Sequence, residues 1–256
     1  MARYVLITGA TSGIGKAIAY AFAENQDHLI ITGRRREKLQ AIQHTLTEMY
    51  GVEVFYYQMD VTQAGEVVAV CQKILEDVPQ IDILINNAGL ALGLEKFHEY
   101  DVNDMVTMID TNVKGCLYMT RQILPTMVEK DQGHVITIGS TAGIYAYAGA
   151  AVYAATKSAV KVLNDGIRID TIDKNIKVTT IQPGIVETDF SQVRFHGDKE
   201  RAAMVYQGIQ ALQAEDIAQN VLFVANQPRH VQITDMTIMA TKQATGFTIY
   251  REGEES

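Results

Sequence analysis

Cysteine is nearly absent from this sequence: two residues in 256, Cys71 and Cys116. Both fall inside apolar, helix-like patterns, and neither belongs to a Cys-x-x-Cys pair. They read as buried thiols in a reducing cytosol, and redox or zinc chemistry has no footing. Proline is scarce as well, four residues, none placed to split the chain into domains. No apolar stretch reaches the length of a membrane span. Residues 4–8 are apolar, but Gly9 interrupts them too soon for a signal core and no small-residue cleavage site follows. Cations are outnumbered, 22 Lys and Arg against 30 Asp and Glu, for a net charge of -8. That balance argues against a nucleic-acid partner, which requires a basic face. The six histidines show no metal-pair spacing, so no metal is expected. These absences leave a cytoplasmic protein with a small-molecule substrate, no nucleic acid and no membrane. The chain is long enough to bury a sizeable core without disulfide or metal support.

What is present is a rhythm of short β-rich runs at 4–8, 29–32, 54–59, 83–85, 134–138, 177–182 and 236–239. Most are near-continuously apolar, the pattern of strands buried on both faces of a parallel sheet. Helix-like stretches at 15–24, 36–50, 104–129 and 151–173 separate them. In the second, Leu39, Ile42, Leu46 and Met49 form one stripe. Strand, helix, strand repeated in this way predicts an α/β fold: a single-domain, Rossmann-type doubly wound sheet of about seven parallel strands flanked by helices. The domain is taken as 1–256, with 241–256 a C-terminal tail and the acidic 252–256 a frayed end.

The first strand runs directly into Thr8-Gly9-Ala10-Thr11-Ser12-Gly13-Ile14-Gly15, with a helix immediately after. Such a loop lets backbone approach a pyrophosphate and presents the free N–H groups of a helix N-terminus to it. Gly9, Thr11, Ser12, Gly13, Ile14 and Gly15 are therefore candidate cofactor contacts. A P-loop is excluded, because that motif needs glycine at position 10 and Ser or Thr at 17, where this chain has Ala10 and Ala17.

The second strand ends at Thr32-Gly33-Arg34-Arg35-Arg36. A carboxylate here takes the ribose 2′-hydroxyl of NAD. A guanidinium cannot accept that bond but pairs well with a 2′-phosphate. Arginines are also disfavoured where a helix begins, since the dipole is already positive there. The reading is NADP(H), with Arg34 the first choice of ligand and Arg35 the second. Asp60 and Val61 close the third strand where adenine sits in such sheets, although Asp is also a common helix cap.

The fifth strand ends at Ser140; Tyr153 follows thirteen residues later and Lys157 four after that. On a helix the last two share a face. A neighbouring ammonium and an oxidised nicotinamide both favour phenolate over phenol, so Tyr153 is the candidate proton-transfer group, with Ser140 holding the substrate oxygen. Tyr-x-x-x-Lys alone is unspecific; the order of glycine loop, basic site, Ser140 and Tyr153/Lys157 carries the argument.

Those features, with Asp60, Asn86-Asn87-Ala88-Gly89, Asn112 and Pro183-Gly184, resemble the short-chain dehydrogenase/reductase family from residue 1 to about 240. The resemblance implies a catalytic tetrad of Asn112, Ser140, Tyr153 and Lys157. In it Asn112 bends its helix and holds a water linking Lys157 to a proton relay. It also implies cofactor contacts at Asn87, Ala88 and Gly89, at Tyr153 and Lys157, and along Pro183, Gly184, Ile185, Val186 and Thr188. Helix pairs at 104–129 and 151–173 that pack across a subunit interface suggest a homotetramer. The closer resemblance is to NADP-dependent 3-hydroxy acid dehydrogenases, the subgroup with serine 3-dehydrogenase and malonic semialdehyde reductase. It is carried by Thr32 to Arg35, Asn86 to Gly93, Val186 to Phe190 with Val193 to Phe195, and Leu212 to Ala218. Such a substrate needs a carboxylate anchor, and Arg194 is the candidate. The alternatives are a reductase for bulkier ketones or 3-oxoacyl thioesters, with Arg194, Lys199 and Arg201 as a docking patch, and a catalytically silent NADP(H) sensor.

Overall fold

In the computed structural model, which describes residues 2–251, the apolar runs assemble into one parallel sheet of seven strands. Its strands are β1 (Tyr4–Thr8), β2 (His28–Gly33), β3 (Val54–Gln58), β4 (Ile83–Asn86), β5 (Gly133–Ile138), β6 (Ile176–Pro183) and β9 (Asp235–Ile238). The spatial order is β3-β2-β1-β4-β5-β6-β9. Every expected strand is found, with ends within one residue of the predicted bounds. Alternate side chains go to opposite faces. Val5, Ile7, Leu29 and Ile31 pack under helices α1 (Gly13–Glu24), α2 (Arg36–Tyr50) and α9 (Ala214–Ala225). Leu6, Ile30, Leu84 and Val135 pack under α3 (Ala64–Asp77), α5 (Gly115–Lys130) and α6 (Ala151–Asp170).

The strand order reverses between β1 and β4, which opens a crevice at the carboxyl ends of those strands. Two departures from the sequence reading bear on that crevice. The helix expected at 104–129 is α4 (Val102–Ile109), a π turn (Asp110–Lys114) and α5, so it carries a break at Asn112. Beyond β6 the chain forms β7 (Val186–Glu187), α7 (Phe190–Arg194), α8 (Lys199–Met204) and β8 (Leu212–Gln213), with β7 and β8 paired in a small second sheet. This segment lies over the crevice as a cover.

The C-terminal stretch is not loose where it is described. Gln243 bridges Ile249, its Oε1 accepts from the Ile185 N–H at 2.9 Å, and Arg251 donates to the Val205 and Gln207 carbonyls. The acidic end, 252–256, lies outside the described residues.

His134, expected to open a strand, lies in β5 and is buried. Its Nε2 is 2.8 Å from Thr179 Oγ1, whose own proton goes to the Ile233 carbonyl, so the ring must donate through Nε2. Nδ1 has no partner among the described residues. Burial pushes this imidazole from 6.5 down to about 3. The unfolded chain then binds a proton that the folded chain refuses, and stability is lost as pH falls through 6.5 toward 3. Denaturant melts should show that acid slope, and His134→Leu should flatten it.

Candidate active site

The crevice is a cavity of about 330 Å³ bounded by the ends of β1, β2, β4, β5 and β6. Its floor is the glycine loop. Gly9 sits at φ +68°, where side chains are strained, and a Cβ on Gly15 would lie 2.5 Å from the Gly9 carbonyl oxygen and 2.3 Å from Asn87 Nδ2. Ser12 caps α1 in extended conformation without spending its side chain on the cap, and no carboxylate occupies the first turn. The helix start is thus an open anion site. Asn87 fastens the loop from β4: its Nδ2 donates to the carbonyls of Thr8 (2.9 Å) and Gly9 (3.2 Å), while Thr8 Oγ1 accepts from the N–H groups of Asn87 and Ala88 at 3.0 Å each.

Gly9, Thr11, Ser12, Gly13, Ile14, Gly15, Asp60, Val61, Asn87, Ala88 and Gly89 all line the cavity. Arg34 and Arg35 line it too, but with different postures. Arg35 folds onto the loop, donating to Thr11 Oγ1 at 3.1 and 2.6 Å and to Ser12 Oγ at 2.9 Å. Arg34 is exposed at the rim. Asp60 does not cap a helix; its Oδ1 accepts from Thr62 N and Oγ1, and Gln63 is the cap of α3. The cradle fits a dinucleotide: backbone without side chains under a pyrophosphate, two guanidiniums where a 2′-phosphate belongs.

Tyr153 and Lys157 share a face of α6, and Ser140 opens a 3-10 turn after β5. All three line the cavity. Ser140 Oγ accepts from the Ala142 N–H at 3.1 Å and lines the cavity together with Tyr153. The two cations do not act as the spacing suggested. Lys157 donates to the Ile138 carbonyl at 2.8 Å, and burial lowers its pKa to about 8. Its Nζ is 5.9 Å from the Tyr153 ring centre. Arg194 is nearer, its Cζ 5.2 Å from that centre. Burial raises the Tyr153 phenol above its usual value, and Arg194 first, then the Ser140 hydrogen bond, oppose the rise. Burial is thus the largest influence on Tyr153 from the protein itself; the oxidised nicotinamide on which the phenolate reading also calls would add to the groups opposing it.

Asn112 lies in the π turn behind the cavity wall. Its Oδ1 accepts from the Leu90 N–H at 2.8 Å, and its Nδ2 donates to the Leu90 carbonyl at 2.8 Å and to Thr156 Oγ1 at 3.0 Å. The helix passes through a π turn at Asn112, while the side chain clamps the strand-end loop.

Pro183, Gly184, Val186 and Thr188 line the main cavity; Ile185 does not. It faces a second cavity of about 80 Å³ adjoining the first, because Gln243 takes its N–H. Ser140, Tyr153, Tyr147, Phe190, Tyr206 and Arg194 also face this space, and among the described residues Arg194 is the one charged residue lining it. Arg194 donates to Tyr147 Oη at 3.2 Å and stacks on Phe190 at 5.2 Å. No carboxylate pairs with it among the described residues, and its buried Nε has no partner. Sequence reasoning placed Tyr147 and Phe190 only within stretches that shape the pocket, and missed Tyr206 and Gln243. Tyr206 fixes the cover, its hydroxyl meeting Ser191 Oγ at 2.7 Å and the Val186 and Thr188 carbonyls at 3.3 Å. Tyr206 and Gln243 stand in no motif, so no local signal marked them.

The doubly wound sheet, the glycine cradle and the Ser140-Tyr153-Lys157 cluster define a nucleotide-dependent oxidoreductase, and the chain belongs to the short-chain dehydrogenase family, which it matches over residues 3–199. It is 46% identical over 249 residues to the NADP-dependent 3-hydroxy acid dehydrogenase YdfG of Salmonella typhimurium, covering 96% of this chain and 99% of that one. It is 40% identical over 251 residues to the NADP-dependent 3-hydroxy acid dehydrogenase of Schizosaccharomyces pombe, covering 98% and 97%. Among solved structures it resembles the closed form of a serine dehydrogenase complexed with NADP+, with TM-score 0.88, 43% identity and coverage of 97% and 100%.

Proposed function

We propose that this protein transfers hydride between NADP(H) and the C3 alcohol or carbonyl of a short 3-hydroxy acid. The observation that carries the substrate class is Arg194: a guanidinium without an anionic partner among the described residues, lining a small cavity beside Ser140 and Tyr153. The relatives' names point to the same substrates and cofactor. A thioester-docking patch has less support, because Arg194 turns inward and Arg201 stacks on Phe195 at 4.5 Å. Ser140, Tyr153, Lys157 and Asn112 are retained as the catalytic set, so a silent sensor has little to recommend it.

In this reading the glycine loop and the start of α1 hold the pyrophosphate, Arg34 and Arg35 the 2′-phosphate, and Lys157 and Thr188 the nicotinamide half. When bound, NADP(H) supplies or takes up the hydride. Arg194 binds the substrate carboxylate, Ser140 donates a hydrogen bond to the substrate oxygen, and Tyr153 gives that oxygen a proton or takes one from it. A phenol that rests protonated suits reduction of the carbonyl near neutral pH.

The test is NADPH- and NADP+-linked turnover with malonic semialdehyde, 3-hydroxypropionate, L-serine and a 3-oxoacyl thioester. The free acids should be turned over; preference for the thioester would replace the proposal by the bulkier-substrate reading. A charge-assisted bond contributes roughly 1.5–3 kcal/mol. Arg194→Ala should therefore raise KM for 3-hydroxypropionate by about tenfold to a hundredfold. An unchanged KM removes the anchor role.

The assignment includes a homotetramer in the cytoplasm, with residues 1–256 acting as one domain. Exposed Val102, Val106, Ile109 and Leu117 on α4 and α5, with Val162 and Ile169 on α6, support subunit contacts. The two unpaired, buried cysteines suit a reducing compartment. Sedimentation equilibrium gives the subunit number.

A further inference from the structure

Arg194 faces the proton-transfer group as well as the space for the substrate, and this has a chemical consequence that rests on the function proposed above. We propose that Arg194 is a second cation acting on Tyr153: its guanidinium stabilises the phenolate directly, and a substrate carboxylate that pairs with it withdraws that stabilisation. The geometry is that of a charge held on the ring. Arg194 Cζ lies 5.2 Å from the Tyr153 centroid and 5.2 Å from that of Phe190, over two rings that themselves meet at 5.8 Å. Tyr147 Oη fixes the other side of the guanidinium at 3.2 Å. Lys157 is farther from the ring and spends a proton on the Ile138 carbonyl.

The surroundings contain little else that can compete. From α6 the charged neighbour is Lys157, backed by the buried Cys116 thiol. From the strand-end turn comes Ser140, from the segment before α6 Tyr147, and from the cover Arg194, with Asp189 on the wall of the larger cavity. The same cluster holds the Tyr100 phenol, on which Arg194, Glu95 and Asp104 also act, and the apolar Ala91, Met108, Ala142 and Phe190. Tyr147 thus becomes a positioning residue, holding the cation where it reaches both the ring and a carboxylate.

In the oxidation direction the substrate hydroxyl gives its proton to Tyr153 Oη and its C3 hydride to NADP+. The limb of the kcat–pH profile reports the phenol in the substrate complex. A unit charge at this range shifts such a group by about one to three pH units. With the whole enzyme, 3-hydroxypropionate should give a limb about one unit higher than its neutral methyl ester, because only the acid neutralises Arg194. In Arg194→Gln the ester limb should rise to meet that of the acid, whereas Arg194→Lys should keep most of the difference. Equal limbs for acid and ester in the wild type, or an ester limb unmoved by Arg194→Gln, overturn the proposal. The ester comparison stands even if the acid proves to be no substrate, so loss of the 3-hydroxy acid reading is seen separately.

Discussion

Tyr153→Phe should lower turnover by roughly 10²–10⁴-fold while leaving NADPH affinity close to that of the wild type. The substitution removes one oxygen from a side chain that is buried against Phe190, at 5.8 Å between ring centres, and beneath the Arg194 guanidinium. A phenyl ring keeps both packing contacts, so the fold and the cover should persist. What is lost is the hydroxyl proposed to exchange a proton with the substrate oxygen. The cofactor cradle is built from other residues, chiefly the glycine loop and its ties to Asn87. Stopped-flow fluorescence of NADPH binding and steady-state rates separate the two effects. A variant that retained turnover would move proton transfer to another group, and Ser140 would be the first to examine.

The second large effect is on cofactor choice. Arg34→Ala should weaken NADPH by roughly tenfold to a hundredfold, the equivalent of one charge-assisted bond, and leave NADH nearly unchanged. Arg35→Ala should match it, and the postures of the two side chains give the reason to test both. Arg35 already rests on Thr11 and Ser12, at the point where the phosphate loop meets the end of β2. Arg34 is exposed at the rim and free to swing toward an anion. Removing Arg35 also releases two loop hydroxyls, so a small loss for NADH is expected there and none for Arg34→Ala. Equal losses for both cofactors would make the arginines braces of the loop instead of 2′-phosphate ligands. Isothermal titration with the two cofactors decides between these outcomes.

The parts legible in the sequence were those with strong local physics. Val5-Leu6-Ile7 and Leu29-Ile30-Ile31 are apolar at every position because both sheet faces are covered, and this pattern set strand ends within a residue. Gly9 and Gly15 were readable because backbone geometry tolerates nothing larger. The orientation of Lys157 was not. Four-residue spacing puts it on the face of Tyr153 but says nothing of the Ile138 carbonyl that draws its ammonium aside. Asn112 was named by resemblance, and its bidentate clamp on Leu90 depends on a π turn that no composition announces. The cover was the least legible part. Its shape depends on bonds between distant residues, Tyr206 to Val186 and Thr188, Gln243 to Ile185, and Arg251 to Val205. The same contacts made the C-terminal stretch a wall of the smaller cavity.

A crystal structure with NADP+ and 3-hydroxypropionate bound reads the central claim most directly. The account predicts nicotinamide C4 facing the Tyr153 and Ser140 hydroxyls, the 2′-phosphate between Arg34 and Arg35, and the carboxylate on Arg194. A nicotinamide ring seated away from Tyr153, or a carboxylate bound elsewhere with Arg194 still on Tyr147, would contradict it.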